Sequence, residues 1–336
     1  MKEVNPKLNA VVQEMPDEAI EELDYAVRQL GLKVVMLGSL IRRDIPAALD
    51  IHPDAAKFTA YRDVLGLDSQ YDYDPVWAKC VELKVAPSFH SGGRGFAMRV
   101  SPSNFTYNHI GHFAAAGEAT CKALFLGGVT RRFPDLNFAF LEGGVGFACL
   151  LYADLIGHWQ IRSKEGLAMT DPARLDLSLL RELAEKYGGA EMVAALADGH
   201  GISMENGPDT TGHLEDLDDY SRCEIREVDD IRRLFVDRFY FGCEADDPAN
   251  AWAFSEAHNP MSVKLKALYG SDIGHFDVPD MLGVLPEAYE LVEDELITHD
   301  DFADFVFGNA VRLWGETNPD FFAGTSVQSE RRRSRE

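Results

Sequence analysis

Short apolar runs alternate along this chain with patterns of helical period, and that alternation limits the available folds more than any other feature. "LNAVVQEM" (8–15), "KVVMLGS" (33–39), "VAPSFHSGG" (85–93), "NFAFLEGG" (137–144), "RFYFGCEADD" (238–247) and "VKLKALYGSD" (263–272) read as six strands. Between the first two, "DEAIEELDYAVRQLG" (17–31) reads as an amphipathic helix. Asp17 caps it, Ile20, Leu23, Val27 and Leu30 form its stripe, and Gly31 stops it. After a loop-rich stretch, further helices are expected at 74–84, 111–127, 250–258 and within 286–314. Strands that alternate with helices in this way become parallel and are covered by those helices through right-handed connections. Segment 145–238 reads as mostly helical around a Gly- and Asp-rich loop, "ADGHGISMENGPDTTGHLEDLDD" (197–219). It is longer than a simple strand–helix unit needs, so it predicts an insertion over one face.

Several function classes lose support. The 336 residues carry a formal net charge of −24, which disfavours a phosphate-backbone partner, since such partners need Lys and Arg. The one basic run, Arg331–Arg332–Arg333 with Arg335, falls in a polar tail (326–336) expected to be disordered. Cys80, Cys121, Cys149, Cys223 and Cys243 are widely spaced and odd in number, which points to reduced thiols and a cytoplasmic setting. No apolar run is long enough for a membrane span, and the first residues lack the layout of a signal peptide. No Gly-x-Gly-x-x-Gly opens a helix after a strand, and neither a Walker loop nor a Gly-x-Ser-x-Gly elbow occurs.

The chemistry gathers where strands end. "LYGSDIGHFDVPDM" (268–281) runs from an apolar pair straight into Asp272, His275, Asp277 and Asp280. Taken alone, that stretch is either an active-site loop or a loop whose polar groups cap the next helix. The other strands decide how to read it: one ends in His90, one in Glu142, one in Glu244 with Asp246 and Asp247. In a parallel β/α barrel the carboxyl ends of the strands converge on one face. Imidazoles and carboxylates delivered there suit a divalent ion such as Zn²⁺, or general acid–base work.

Five ordered landmarks, "PSFHSGG", "RRFPDLNFAFLEGGVGF", "YFGCEADD", "LYGSDIGHFDV" and "FVFGNAVRLWG", resemble those of the amidohydrolase-related family, the branch with aminocarboxymuconate-semialdehyde decarboxylase and the resorcylate decarboxylases. The resemblance spans roughly residues 8–325. It implies an α/β fold of the (β/α)8 TIM-barrel type holding one divalent metal, zinc or else manganese, at the carboxyl ends of its strands. It also implies His90 and Asp272 as metal ligands and Asp272, Glu142 and His275 as catalytic residues. Glu142 falls where decarboxylating members usually carry a histidine, although another branch has Glu there.

The chain also departs from that pattern. The family opens with His-x-His on its first strand, and no His-x-His occurs here; the close pair is His109 and His112, placed at a helix start and expected to serve as surface or substrate contacts. Aligning His90 with the fifth strand makes "LNAVVQEM" the third, so strands three to eight are visible and two would precede Met1. The chain is therefore a piece of a longer product, or a second chain supplies the front strands, or the barrel is degenerate; the first is expected here. Each residue also has a structural reading: His90 bonded to backbone in the core, Asp272 capping its loop, Glu142 bonded to the amides near Gly143–Gly144, and Glu244, Asp246 and Asp247 as a solvated rim. The function implied is hydrolysis or decarboxylation of a small carboxylated or cyclic metabolite by a single domain (1–325), with a homo-oligomer allowed and no oligomeric state fixed by the sequence. The rival is a non-catalytic subunit of the same fold, without a complete metal site.

Overall fold

A computed structural model describes residues 16–52, 54, 59–90, 92, 99–168, 171, 174–197 and 217–328. The strand expected at 8–15, the basic run 331–333 and most of the loop 197–219 lie outside them. Contacts divide the chain into two units, Met1–Asp154 with Ile225–Glu336, and Leu155–Glu224.

The first unit is built on a parallel sheet. Strands β1 (Val35–Leu37), β4 (Pro87–Phe89), β5 (Phe138–Phe140), β6 (Phe239–Cys243) and β7 (Lys266–Tyr269) pair in the order β1-β4-β5-β6-β7. All four pairings are parallel. Every residue of β4, β5 and β6 is buried, which is why these strands read as continuous apolar runs instead of alternating ones. The order and direction are those of a β/α barrel, and the barrel does not close among the described residues.

The two faces of this sheet differ in chemistry. Register places Phe89 beside Phe140 and Phe140 beside Phe241, and their rings stack at 5.5 and 5.8 Å. Phe138 and Phe239 form a second pair on the same face. Trp77, from helix Asp74–Leu83, meets Phe89 and Phe138 edge-on, and Phe235, from helix Val228–Phe235, closes on Phe239. Each such ring withdraws from water a surface worth about 1.5–3 kcal/mol. The opposite face carries small residues, Ala86 and Ala139, with Tyr240 and Leu268. Leu313 joins this cluster and Trp314 packs against it, both from helix Asn309–Thr317. Asn309 fixes that helix by donating its side-chain amide to the Ala267 carbonyl at 2.8 Å.

A feature absent from the sequence reading lies in the loop-rich stretch. Strands β2 (Ile41–Asp44) and β3 (Ala60–Asp63) form an antiparallel pair. Arg43 and Asp63 are both buried there, and Asp63 Oδ2 accepts from Arg43 at 3.2 Å, Tyr73 at 2.9 Å and Ser69 at 3.0 Å. Burial and the Asp63 charge push the Tyr73 hydroxyl up to about 12, so it stays a donor. Removing one partner of such a buried pair costs about 3–5 kcal/mol.

The second unit is helical, with helices Lys164–Leu167, Leu177–Leu183 and Gly189–Ala197. Asp176 caps the second of these on the amides of Ser178 and Leu179. Arg162 pairs with Asp219 at 2.7 Å, and the Tyr220 hydroxyl donates to the Leu155 carbonyl at 2.7 Å. No helix among the described residues is long and apolar enough to cross a membrane.

Candidate active site

Four strands deliver their next ionisable side chain to one cavity. His90 follows β4 directly, Glu142 comes two residues after β5, Glu244 follows β6 directly, and Asp272 comes three residues after β7. All four line a cavity of about 390 Å³. The backbone explains the aim of the last. Gly270 continues the sheet through its amide to the Cys243 carbonyl at 2.9 Å, and a Cβ there would meet that same oxygen at 2.9 Å. Only glycine lets the chain run so close to β6 before turning. Asp272 then takes a left-handed φ of 47°, and Glu142 one of 59°. That conformation costs a non-glycine residue energy, least for Asp. Lys84, at a helix end, shares it, so the strain marks the turns; what sets Glu142 and Asp272 apart is that both turns point a carboxylate at the same space.

Ligand atoms of Glu142, Asp272 and His275 lie within 4.8 Å of one another. Tetrahedral donors around one ion at 2.0–2.2 Å sit roughly 3.3–3.6 Å apart, so a shift of about 1 Å or less closes the three on a divalent ion. Two carboxylates and an imidazole are also the right donor types. His90, expected as a ligand together with Asp272, stands one hydrogen bond behind this group, its Nε2 2.8 Å from Glu142 Oε1. The Phe113 ring lies nearly perpendicular to the His90 imidazole, with centroids 5.1 Å apart. His275 Nδ1 is hydrogen bonded to Asp272 Oδ1. That bond, then the Asp272 charge, raises the pKa of the imidazole above its ordinary value.

Glu244 behaves differently. Burial, and then the charges of Asp272 and Glu142, push its carboxyl up to about 7, so near neutrality it carries a proton about half the time. From the sequence, Glu244, Asp246 and Asp247 also read as a solvated rim. Glu244 and Asp247 line the cavity and Asp246 does not. The signal for Glu244 was its place directly after a strand. The signal for its raised pKa was out of reach, because it comes from burial in the folded site and then from carboxylates about 30 and 100 residues away in the chain. His109 and His112 also line the cavity, with ring centroids 4.7 Å apart. Cysteine chemistry has no place here: Cys243, beside Glu244, is fully buried, and burial pushes its thiol well up.

The profile of the amidohydrolase family matches residues 6–188, more than half of the chain. The chain belongs to the amidohydrolase family. The match includes His90, His109, His112 and Glu142, while Glu244, Asp272 and His275 lie beyond it and join the site through the fold. No curated protein matches the chain. Among solved structures, an amidohydrolase from Mycobacterium avium subsp. paratuberculosis K-10 is similar at 16% identity, with a TM-score of 0.46. The alignment covers 89% of this chain and 55% of the mycobacterial one, so this amidohydrolase chain spans little more than half the length of that relative.

Proposed function

We propose that this amidohydrolase is a metal-dependent hydrolase acting on a C–N or C–O bond of a small molecule. One observation carries the reading: Glu142, Asp272 and His275, which leave two different strands, bring their ligand atoms within 4.8 Å of one another inside a cavity that Glu244 also lines. Those three residues would hold the ion, zinc or alternatively manganese, which supplies Lewis acidity to a carbonyl and to water. Asp272 is the base that takes the proton of the attacking water, and His275 steadies it through the Nδ1 hydrogen bond. His90 orients Glu142 from behind. Glu244, poised near neutral pH, gives a proton to the leaving nitrogen or oxygen.

The test is metal content followed by turnover. The purified chain, stripped with chelator and dialysed against Zn²⁺ or Mn²⁺, is expected to retain a single ion. Asp272→Asn and Glu142→Gln should each lower that retention by about 10-fold or more, and a panel of amides and esters should be hydrolysed only by the loaded protein. A chain that retains no ion, and gains no turnover from one, is instead the non-catalytic subunit of the rival reading.

A further inference from the structure

The helical unit Leu155–Glu224 exposes more apolar surface than its own helices account for. Helix Leu177–Leu183 reads "LSLLREL", and helix Gly189–Ala197 reads "GAEMVAALA", in which Glu191 is the one ionisable residue. An amphipathic surface helix buries its apolar stripe, and a helix that is apolar on nearly every side belongs in an interior. Yet from Leu175 to Leu196 the one buried residue is Ala184. Leu179, Tyr187 and Met192 stand 49%, 73% and 52% exposed. At 1.5 Å per residue the second helix is about 14 Å long, half of the ~30 Å of a bilayer core, so spanning a membrane does not bury it.

Area and charge both select a second copy of this chain as the cover. Leu175, Leu177, Leu179, Leu183, Tyr187 and Met192 together leave roughly 600 Å² of side chain in water, close to the ~800 Å² that each partner brings to a standard interface. Copies of a chain at −24 repel one another, so they meet most easily where charge is near balance. Arg181 and Lys186 alternate here with Glu182, Glu185 and Glu191, and two copies laid antiparallel set the cations of each against the carboxylates of the other. We infer that the chain forms a dimer in which Leu177–Leu183 and Gly189–Ala197 of each copy pack on the same two helices of the other, burying Leu179 and Met192. Such a contact is isologous: one apolar face serves both sides, and the assembly closes at two. It uses no residue of the candidate active site and stands whether or not the chain holds an ion.

Sedimentation velocity of the full chain across the micromolar range tests it, with amide hydrogen exchange read on the same samples. The expected result is a dimer that does not grow into larger species, with the amides of 177–197 gaining protection as concentration rises. The double variant L179E/M192E puts carboxylates into the contact and should weaken association by about 30-fold or more. Both side chains are already half exposed, so its far-UV circular dichroism should match the wild type. L282E, a charge added to an 89% exposed leucine of the other unit, should leave the dimer intact. A chain that stays monomeric overturns the inference. If its 177–197 amides are then protected at every concentration, the chain's own residues cover the face; if they exchange freely, no second copy is needed. A dimer that survives L179E/M192E, or that L282E dissociates, also overturns it, because the contact then lies elsewhere.

Discussion

At the amino ends of strands β5 to β7, Asn137, Arg238 and Lys266 meet Tyr240 and Glu316; at the carboxyl ends of the same strands, Glu142, Glu244 and Asp272 face one another across a cavity. The first set is closed and balanced. Lys266 Nζ donates to the Asp237 carbonyl at 2.9 Å and to the Tyr240 hydroxyl at 3.1 Å, and its ammonium sits 4.5 Å from the Tyr240 ring centroid. Asn137 donates to Glu316 at 3.2 Å and accepts from Arg238 at 3.3 Å. Each charged group has a hydrogen-bond partner within reach. The second set keeps an excess of one sign and spends backbone strain to hold it. In a β/α barrel the amino face serves stability and the carboxyl face serves chemistry, and here the difference is written in charge balance within single strands.

The largest expected effect breaks the carboxyl end alone. Asp272→Asn keeps a residue that tolerates the left-handed φ of 47° and removes only the charge. Loss of the base should lower turnover by about 10³-fold or more, while urea unfolding shows no loss of stability. A variant that unfolds more easily in step with its lost activity would mean that Asp272 holds the loop together and takes no part in the chemistry.

A lesion in the shared sheet should look different, because both ends hang on it. Phe239 is fully buried and touches Phe138, Phe140 and Phe235. Phe239→Ala is expected to cost about 3–5 kcal/mol in chemical denaturation, with ion retention and fold lost in the same transition. Two separate transitions would show that the ends are not held by one core.

The amino end titrates on its own. Burial pushes the Lys266 ammonium from 10.5 down to about 8, against the pull of Glu316 and Asp237. Between those values the unfolded chain binds more protons than the folded one, so this group adds stability as pH rises from about 8 to 10.5 and adds none below. Relative to Lys266→Met, the wild-type chain should gain about 2–3 kcal/mol over that window. Equal pH dependence of the two proteins would place the amine in water and undo the account of a closed amino end.

These opposed ends were not equally legible in the sequence. His90, Glu142, Asp272 and His275 could be picked out because each follows an apolar run, and a parallel sheet sends such residues to one side. The five described sheet strands were legible for the same reason. The pair β2–β3 was not. "IRRD" and "AYRD" look like solvent-facing segments, and their burial follows from Arg43 finding Asp63 twenty residues on, a pairing that no local pattern encodes. Lys266 at the head of an apolar strand gave no hint of its carbonyl and hydroxyl partners. Glu244 could be placed by its strand, but its raised pKa depends on where the other strands end.

The smallest effects have opposite signs at the two ends, and the sign is the useful part. Asp277 is exposed at the cavity rim, and its charge acts on both Glu244 and His275. Replacing it by Asn relieves repulsion among like charges and should raise the melting temperature by about 1 °C or less at low salt, with no change in 1 M salt, where the screening length is about 3 Å. Glu316→Gln also removes one negative charge from an acidic chain, yet it strips Lys266 of the counter-charge that acts on it most and weakens the contacts from Asn137 and Tyr240. Its melting temperature should fall by a few degrees, as losing a charged hydrogen-bond partner would predict. If both substitutions raised the melting temperature, net charge alone would explain them, and the amino end would be no better balanced than the carboxyl end.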